Sequence, residues 1–298
     1  MTEPTRTKRS LYMEWAKTHS HAKYNLATSG LMGVPRDDFP LNLDELEITA
    51  PGGYGYAPLQ QRLAQHAGVP EDCVVAAAGT SMANHLAMAA VLEPGDEVLI
   101  ELPAYGPILD VAHYLGARVK RLQRRFEGRF SINLDELQRA ITRSTRLVVL
   151  TNLHNPSSAL LSAEMLRAIG KMAVRAGVHV LVDEVYLEML FGQAAPFCFP
   201  IGQAIAGAKE NPFIVTSSLT KVYGLSGLRC GWILAAPKLA RRMWLLNDLF
   251  AATAAHPAER LSVMALDHLK QFRVRAISLL TANRVFLDEF LDSRDDLE

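Results

Sequence analysis

The chain has 298 residues, 49% apolar and 21% charged, a balance that supports a sizeable buried core. Its 31 basic and 31 acidic residues cancel, which argues against nucleic-acid or anionic-membrane partners and favours self-association. Cys73, Cys198 and Cys230 are too scattered for a disulfide framework or a zinc site and suit a reducing cytoplasm; neither a leader peptide nor a membrane-spanning helix is expected.

Residues 1–50 read as a polar, proline-spotted arm with one helical stretch at Leu11–Thr18. From Tyr54 the pattern becomes regular. PLQQRLAQHAGV has the spacing of an amphipathic helix ending at a glycine; CVVAAAG is a short strand, and TSMANHLAMAAVL is the helix after it. PGD marks a turn before the strand EVLIELP, and RVKRL is a further strand. Then come the helix LDELQRAI, the strand TRLVVLTNL, the helix SAEMLRAIGKMAVRAG, and the strands HVLVDEVYL, FIVTSSLT and CGWILAA. Beyond Ala236, PKLARRMWLLNDLFAAT and the run from Glu259 to Ser293 carry helical spacing, with no strand pattern after them. Apolar strands alternating with amphipathic helices predict an α/β domain with a mainly parallel sheet covered on both faces. Ligands of such sheets bind beyond the C-terminal ends of the strands.

Unusual residues fall at five of those ends. Lys221 follows FIVTSSLT, with Arg229 eight residues on, in SSLTKVYGLSGLRCGW. Lys221 is either a solvated cation or a desolvated amine able to form a Schiff base. Arg229 with Ser217, Ser218 and Thr220 makes a phosphate-binding set, a guanidinium fork plus hydroxyls. An aldehyde-reactive lysine beside a phosphate site points to pyridoxal 5'-phosphate. Asp183, in an apolar strand, either makes structural hydrogen bonds or partners a pyridinium nitrogen, while Glu184 should face the other way. Tyr186 and Asn155 can each hydrogen-bond a phenolic oxygen, although Asn155-Pro156 is also a common turn. Gly79-Thr80-Ser81 opens a helix, as an anion-binding N-terminus or a plain cap. Tyr105 either stacks on a flat ring or packs as an ordinary tyrosine.

Together these residues resemble the class I/II (fold-type I) pyridoxal-phosphate-dependent aminotransferases. The resemblance rests on Ser218-Leu219-Thr220-Lys221 with Gly224, Gly227 and Arg229, preceded in the family's order by Tyr54, Gly79-Thr80-Ser81, Tyr105, Asn155-Pro156 and Asp183 with Tyr186. It covers about residues 50–240 and implies a large cofactor-binding domain at 51–245 after the arm at 1–50. It further implies that the cofactor is held on Lys221, whose freed amine is the general base, with Asp183 and Tyr186 as the other catalytic residues. Gly79, Thr80, Ser81, Tyr105, Asn155, Asp183, Tyr186, Ser218 and Arg229 would bind the cofactor, and Tyr54 would reach the phosphate of a neighbouring subunit in a homodimer. No metal is implied. The expected reaction moves an amino group between an amino acid and a 2-oxo acid.

Three features depart from the family's pattern. Ser157-Ser158 stand where Thr-Gly often follows the Asn-Pro, and Cys230 replaces an aliphatic residue. Residues 246–298 read as the helical start of a small C-terminal domain that is incomplete or absent, without an arginine placed to grip a substrate carboxylate. Alternatives that stay open here are another pyridoxal-phosphate enzyme (lyase, decarboxylase or racemase), a cofactor-sensing regulatory domain, and an inactive truncated chain.

Overall fold

The computed structural model describes residues 6–25, 28–190, 195–207 and 210–296; the first five residues of the arm and the last two of the chain lie outside them. The arm carries α1 (Leu11–Thr18), capped by the Ser10 side chain, which accepts from the Met13 N–H. Then follow α2 (Ala57–Ala67), β1 (Val74–Ala78), α3 (Gly79–Val91), β2 (Glu97–Leu102), α4 (Gly106–Tyr114), β3 (Arg118–Gln123) and α5 (Leu134–Ala140). The second half adds β4 (Thr145–Thr151), α6 (Ala163–Ala176), β5 (His179–Asp183), α7 (Cys198–Ala206), β6 (Phe213–Ser218), β7 (Cys230–Leu234), α8 (Pro237–Asn247), α9 (His256–Asp267) and α10 (Leu269–Asp292).

The seven strands lie in the order β1-β7-β6-β5-β4-β2-β3. Strands β3, β2, β4, β5 and β6 pair in parallel, and β7 runs antiparallel to both β6 and β1. The expected α/β fold, a mainly parallel sheet covered by helices, is therefore present. Alternation along each strand builds its two cores. Val148, Leu150, Val180, Val182, Phe213 and Val215 pack beneath α2, α6, α7 and α9, while Leu147, Val149, Leu181 and Ile214 pack beneath α3, α4 and α8.

Helix α6 shows how the sequence writes an element. The Ser162 hydroxyl accepts from the Met165 N–H, Leu166, Ile169, Gly170 and Ala173 form the buried stripe, and Gly177 ends the helix with a left-handed φ of 66°. Two helices lie outside the sequence-predicted set. Helix α4 is short, and α7 contains Pro200 and Gly202, poor helix formers that tertiary packing overrides. The predicted helix over 237–253 ends at Asn247, and the run over 259–293 is two helices divided at His268. Ala265 of α9 and Phe272 of α10 join the core under the sheet, so part of segment 246–298 packs against it.

Candidate active site

Because six strands share one direction and β7 opposes them, their C-terminal ends and the start of β7 meet at one edge. An open cleft of about 790 Å³ lies there. Each adjoining element supplies part of its wall: Thr80, Ser81 and Asn84 from α3, Tyr105 after β2, Thr151 at the end of β4 and Asn155 beyond it, Asp183 at the end of β5 with Val185 and Tyr186 just after, and Ser218, Thr220, Lys221 and Arg229 around β6 and β7. Met13 of α1 closes one side. The predicted set thus converges, with three exceptions. Ser217, placed by the sequence with the phosphate-binding hydroxyls, alternates to the opposite face of β6, where it lines a separate pocket with His66, Glu184 and Trp232. Gly79 does not line the cleft but abuts Arg229; a Cβ there would lie 2.3 Å from Arg229 Nη2. Exposed Tyr54 lies elsewhere, its hydroxyl donating to Asp248 Oδ2 (3.2 Å) and its ring beneath the Arg241 guanidinium at 4.3 Å.

Lys221 and Asp183 set the electrostatics. Burial pulls the Lys221 ammonium below its ordinary pKa; Asp183 opposes this and Arg229 adds to it. Its Nζ donates to Ser29 Oγ at 3.0 Å. Burial pushes the Asp183 carboxyl up to about 6, against hydrogen bonds from Asn84 Nδ2 (2.8 Å) and the Val185 N–H (3.1 Å) and the charge of Lys221. Glu184 faces the other side of the sheet, where its Oε1 accepts from the Cys198 N–H at 2.8 Å.

The aromatic and polar walls are also fixed. Tyr105 meets Tyr12 edge to face at 5.5 Å and donates to Met13 Sδ at 3.5 Å; burial pushes its phenol up to about 12. Burial also raises the Tyr186 phenol, which hydrogen-bonds Ser29. The Asn155 N–H donates to Thr151 Oγ1 at 2.8 Å, and that hydroxyl donates to the buried Glu101 Oε1 at 2.6 Å. Glu101 is paired with the fully buried Arg124 at 2.7 Å.

Arg229 occupies the left-handed region at φ 51°, an uncommon conformation for a side chain, and its Nη2 donates to the Ala78 carbonyl at 3.1 Å. Close approach of Gly231 to Gly79, where a Cβ would meet backbone at 2.5 Å, lets β7 bring this arginine to the start of α3. Thr80 Oγ1 and Thr220 Oγ1 are both buried without a hydrogen-bond partner. Two orphaned hydroxyls with Arg229 in one cleft wall fit a phosphate, and a depressed amine opposite a buried carboxylate fits the aldehyde and ring nitrogen of pyridoxal 5'-phosphate. Among the described residues no group of three or more His, Cys, Asp or Glu could hold a metal ion, and no helix is long and apolar enough to cross a membrane.

Sequence reading missed Asn84, Thr151, Met13 and Ser29. Asn84 left a trace, as a polar residue inside an apolar helical run. Met13 and Ser29 left none, because their place depends on how the arm folds back.

The α/β sheet thus gathers an amine, a carboxylate, an arginine and two orphaned hydroxyls at its strand ends. The chain belongs to the aminotransferase class I and II family, whose profile matches residues 48–295. A probable N-succinyldiaminopimelate aminotransferase DapC of Mycobacterium tuberculosis is 32% identical over 225 residues, covering 73% of this chain and 56% of its own length. An aspartate aminotransferase of Pyrococcus horikoshii is 27% identical over 256 residues, covering 79% of this chain and 62% of its own. The chain thus spans little more than half the length of these relatives. Among solved structures, a PLP-dependent aminotransferase from Streptococcus suis 89-1591 shares the fold with a TM-score of 0.87 at 23% identity, over 99% of this chain and 79% of that one. The M. tuberculosis N-succinyldiaminopimelate aminotransferase superposes with a TM-score of 0.80 at 25% identity, over 98% of this chain and 79% of that one.

Proposed function

We propose that the protein is a pyridoxal-phosphate-dependent aminotransferase that moves an amino group between an amino acid and a 2-oxo acid. The observation that carries this reading is the cleft itself: Lys221 and Asp183 in one wall system with the orphaned hydroxyls of Thr80 and Thr220 and with Arg229. When bound, pyridoxal phosphate supplies an aldehyde that condenses with amines and a ring that accepts the electrons of a substrate Cα–H bond.

The chain's own residues do the rest. Thr80, Ser81, Ser218, Thr220 and Arg229, with Gly79 behind them, would bind the phosphate. Asp183 would hold the ring nitrogen protonated, Asn155 and Tyr186 would hydrogen-bond the phenolic oxygen, and Tyr105 would stack on the ring. Lys221 Nζ would hold the cofactor and serve as the base for the α-proton, a role its burial suits, because desolvation favours the neutral amine. Its link to Ser29 Oγ keeps Nζ in the cleft. The catalytic set is Lys221, Asp183 and Tyr186. Tyr54, exposed here, is assigned to the phosphate of a second subunit in a cytoplasmic homodimer. The division into an arm at 1–50, a cofactor domain at 51–245 and the start of a small domain at 246–298 belongs to the same proposal.

The test combines labelling and turnover. The chain is incubated with pyridoxal 5'-phosphate, reduced with borohydride, digested and analysed by mass spectrometry, then assayed against a panel of amino acids with 2-oxo acids. The expected result is modification at Lys221, lost in Lys221→Ala, and amino transfer to at least one oxo acid. Labelling spread over surface lysines, or loss of carbon dioxide or a β-substituent in place of amino transfer, would overturn the reading.

A further inference from the structure

We infer that Asn84 is a positioning residue of the cleft: its amide is clamped in one orientation by Thr216 so that its NH2 group holds the Asp183 carboxylate. The inference rests on the reading of Asp183 as partner of a protonated ring nitrogen.

Helix α3 is otherwise built for packing. Ala83, Leu86, Ala87 and Ala90 are buried against the sheet. Asparagine disfavours helix interiors, since its side chain competes for backbone hydrogen bonds. Asn84 is nonetheless only 4% exposed, and its partners Thr216 and Asp183 are 0% and 6% exposed. An amide buried there without partners would be costly.

Both ends of the amide are used. The Thr216 hydroxyl donates to Asn84 Oδ1 at 2.7 Å, and Asn84 Nδ2 donates to Asp183 Oδ2 at 2.8 Å. Flipping the amide would set its oxygen against an ionised carboxylate, acceptor against acceptor, between two nearly fully buried groups. Thr216 and Asp183 are register partners on β6 and β5, so the clamp ties two adjacent strands to the helix above them. The second carboxylate oxygen accepts from the Val185 N–H at 3.1 Å. Each Asp183 oxygen thus has a protein donor before any ligand arrives.

Other groups around Asp183 do not replace this donor. Lys221 is the cation that favours its ionised form, while Tyr105, Tyr186 and Glu184 only add negative charge when ionised. On α3 itself the neighbouring His85 is turned to Tyr114 and Phe250. Removing the amide therefore leaves burial less opposed, and Asp183 should ionise only at higher pH. A hydrogen bond to a charged group corresponds to a shift of about one to two pH units.

The experiment measures binding. Pyridoxamine 5'-phosphate has no aldehyde, so it binds without a covalent bond. Its affinity is compared by calorimetry, between about pH 5 and 8.5, with that of its benzene counterpart, in which the ring nitrogen is replaced by C–H. The ratio cancels the phosphate and amine contributions. In the wild-type chain the preference for the pyridine compound should fall as pH drops and Asp183 is protonated. In Asn84→Leu that fall should move up by about one to two pH units. Thr216→Val, which frees the amide, should move it the same way by less, and Thr216→Ser should match wild type. Asp183→Asn is the control. If it keeps the preference, the ring-partner reading fails and this inference with it. If Asp183→Asn abolishes the preference while Asn84→Leu and Thr216→Val leave the fall in place, Asn84 only packs. Should Asn84→Leu lack a cooperative unfolding transition, the Thr216 pair decides. Valine shifted with serine unshifted supports the clamp, and equal behaviour overturns it.

Discussion

Asp183 and Glu184 are consecutive, both buried, and both raised by burial, Asp183 to about 6 and Glu184 to about 7. They face opposite sides of one sheet. Glu184 accepts from the Cys198 N–H at the start of α7, where it satisfies an orphan donor of a helix that needs one. Asp183 is held by a side-chain amide and looks into a cleft that also holds Lys221. Burial and a raised pKa are thus common to both sides. What separates them is direction: Glu184 braces a helix end, while Asp183 faces the cleft.

The largest expected effect lies on the cleft side. Asp183→Asn should leave the cofactor bound yet slow turnover on the order of 10²-fold or more, as for loss of a preorganised electrostatic partner of developing charge. Unchanged turnover in steady-state assays would remove Asp183 from the mechanism. Next comes Arg229→Ala, expected to weaken pyridoxal-phosphate affinity on the order of 10- to 100-fold while sparing the amino-acid KM. An effect confined to KM would move Arg229 out of the phosphate cradle.

On the other face, Glu184→Gln should spare cofactor affinity and change stability with pH. Its folded pKa lies above the unfolded value, so the folded chain binds the extra proton and stability falls as pH rises from about 4.5 to about 7. The variant should flatten that limb and be more stable at pH 8 by on the order of 2 kcal/mol. Thermal melts across this range test it, and an unchanged slope would place the titration on Glu101, which burial also raises to about 7. The smallest effect is expected far from the cleft. Ser162→Ala removes the α6 cap and should cost about 1 kcal/mol with no change in cofactor binding; a change in affinity would mean that α6 is coupled to the strand ends.

Much of the site was legible because each strand end carries a residue type that its apolar context does not explain. Lys221 after FIVTSS and Asp183 in HVLVD stand out against their neighbours, and Ser218 through Arg229 carry the family's spacing. Asn84 was passed over because TSMANHLAMAAVL reads as a packing helix, and Thr216 because threonine is ordinary in a strand. Helix α7 was missed because Pro200 and Gly202 argue against a helix locally, while Cys198, Phe199 and Gly202 are buried against β6 and α6. There a Cβ on Gly202 would meet Asn211 at 1.9 Å, a constraint no local pattern records.

By itself the sequence determined the succession of strands and helices, the parallel sheet that follows from it, and the residues delivered to the strand ends, because periodicity and composition act over short stretches of chain. Only the tertiary structure decided which oxygen of Asp183 meets Asn84, that Thr216 orients that amide, that Ser29 and Met13 return from the arm to Lys221 and Tyr105, and that Tyr54 stands apart from them. Those contacts join residues as many as 194 positions apart, and their geometry depends on the packing of several elements at once.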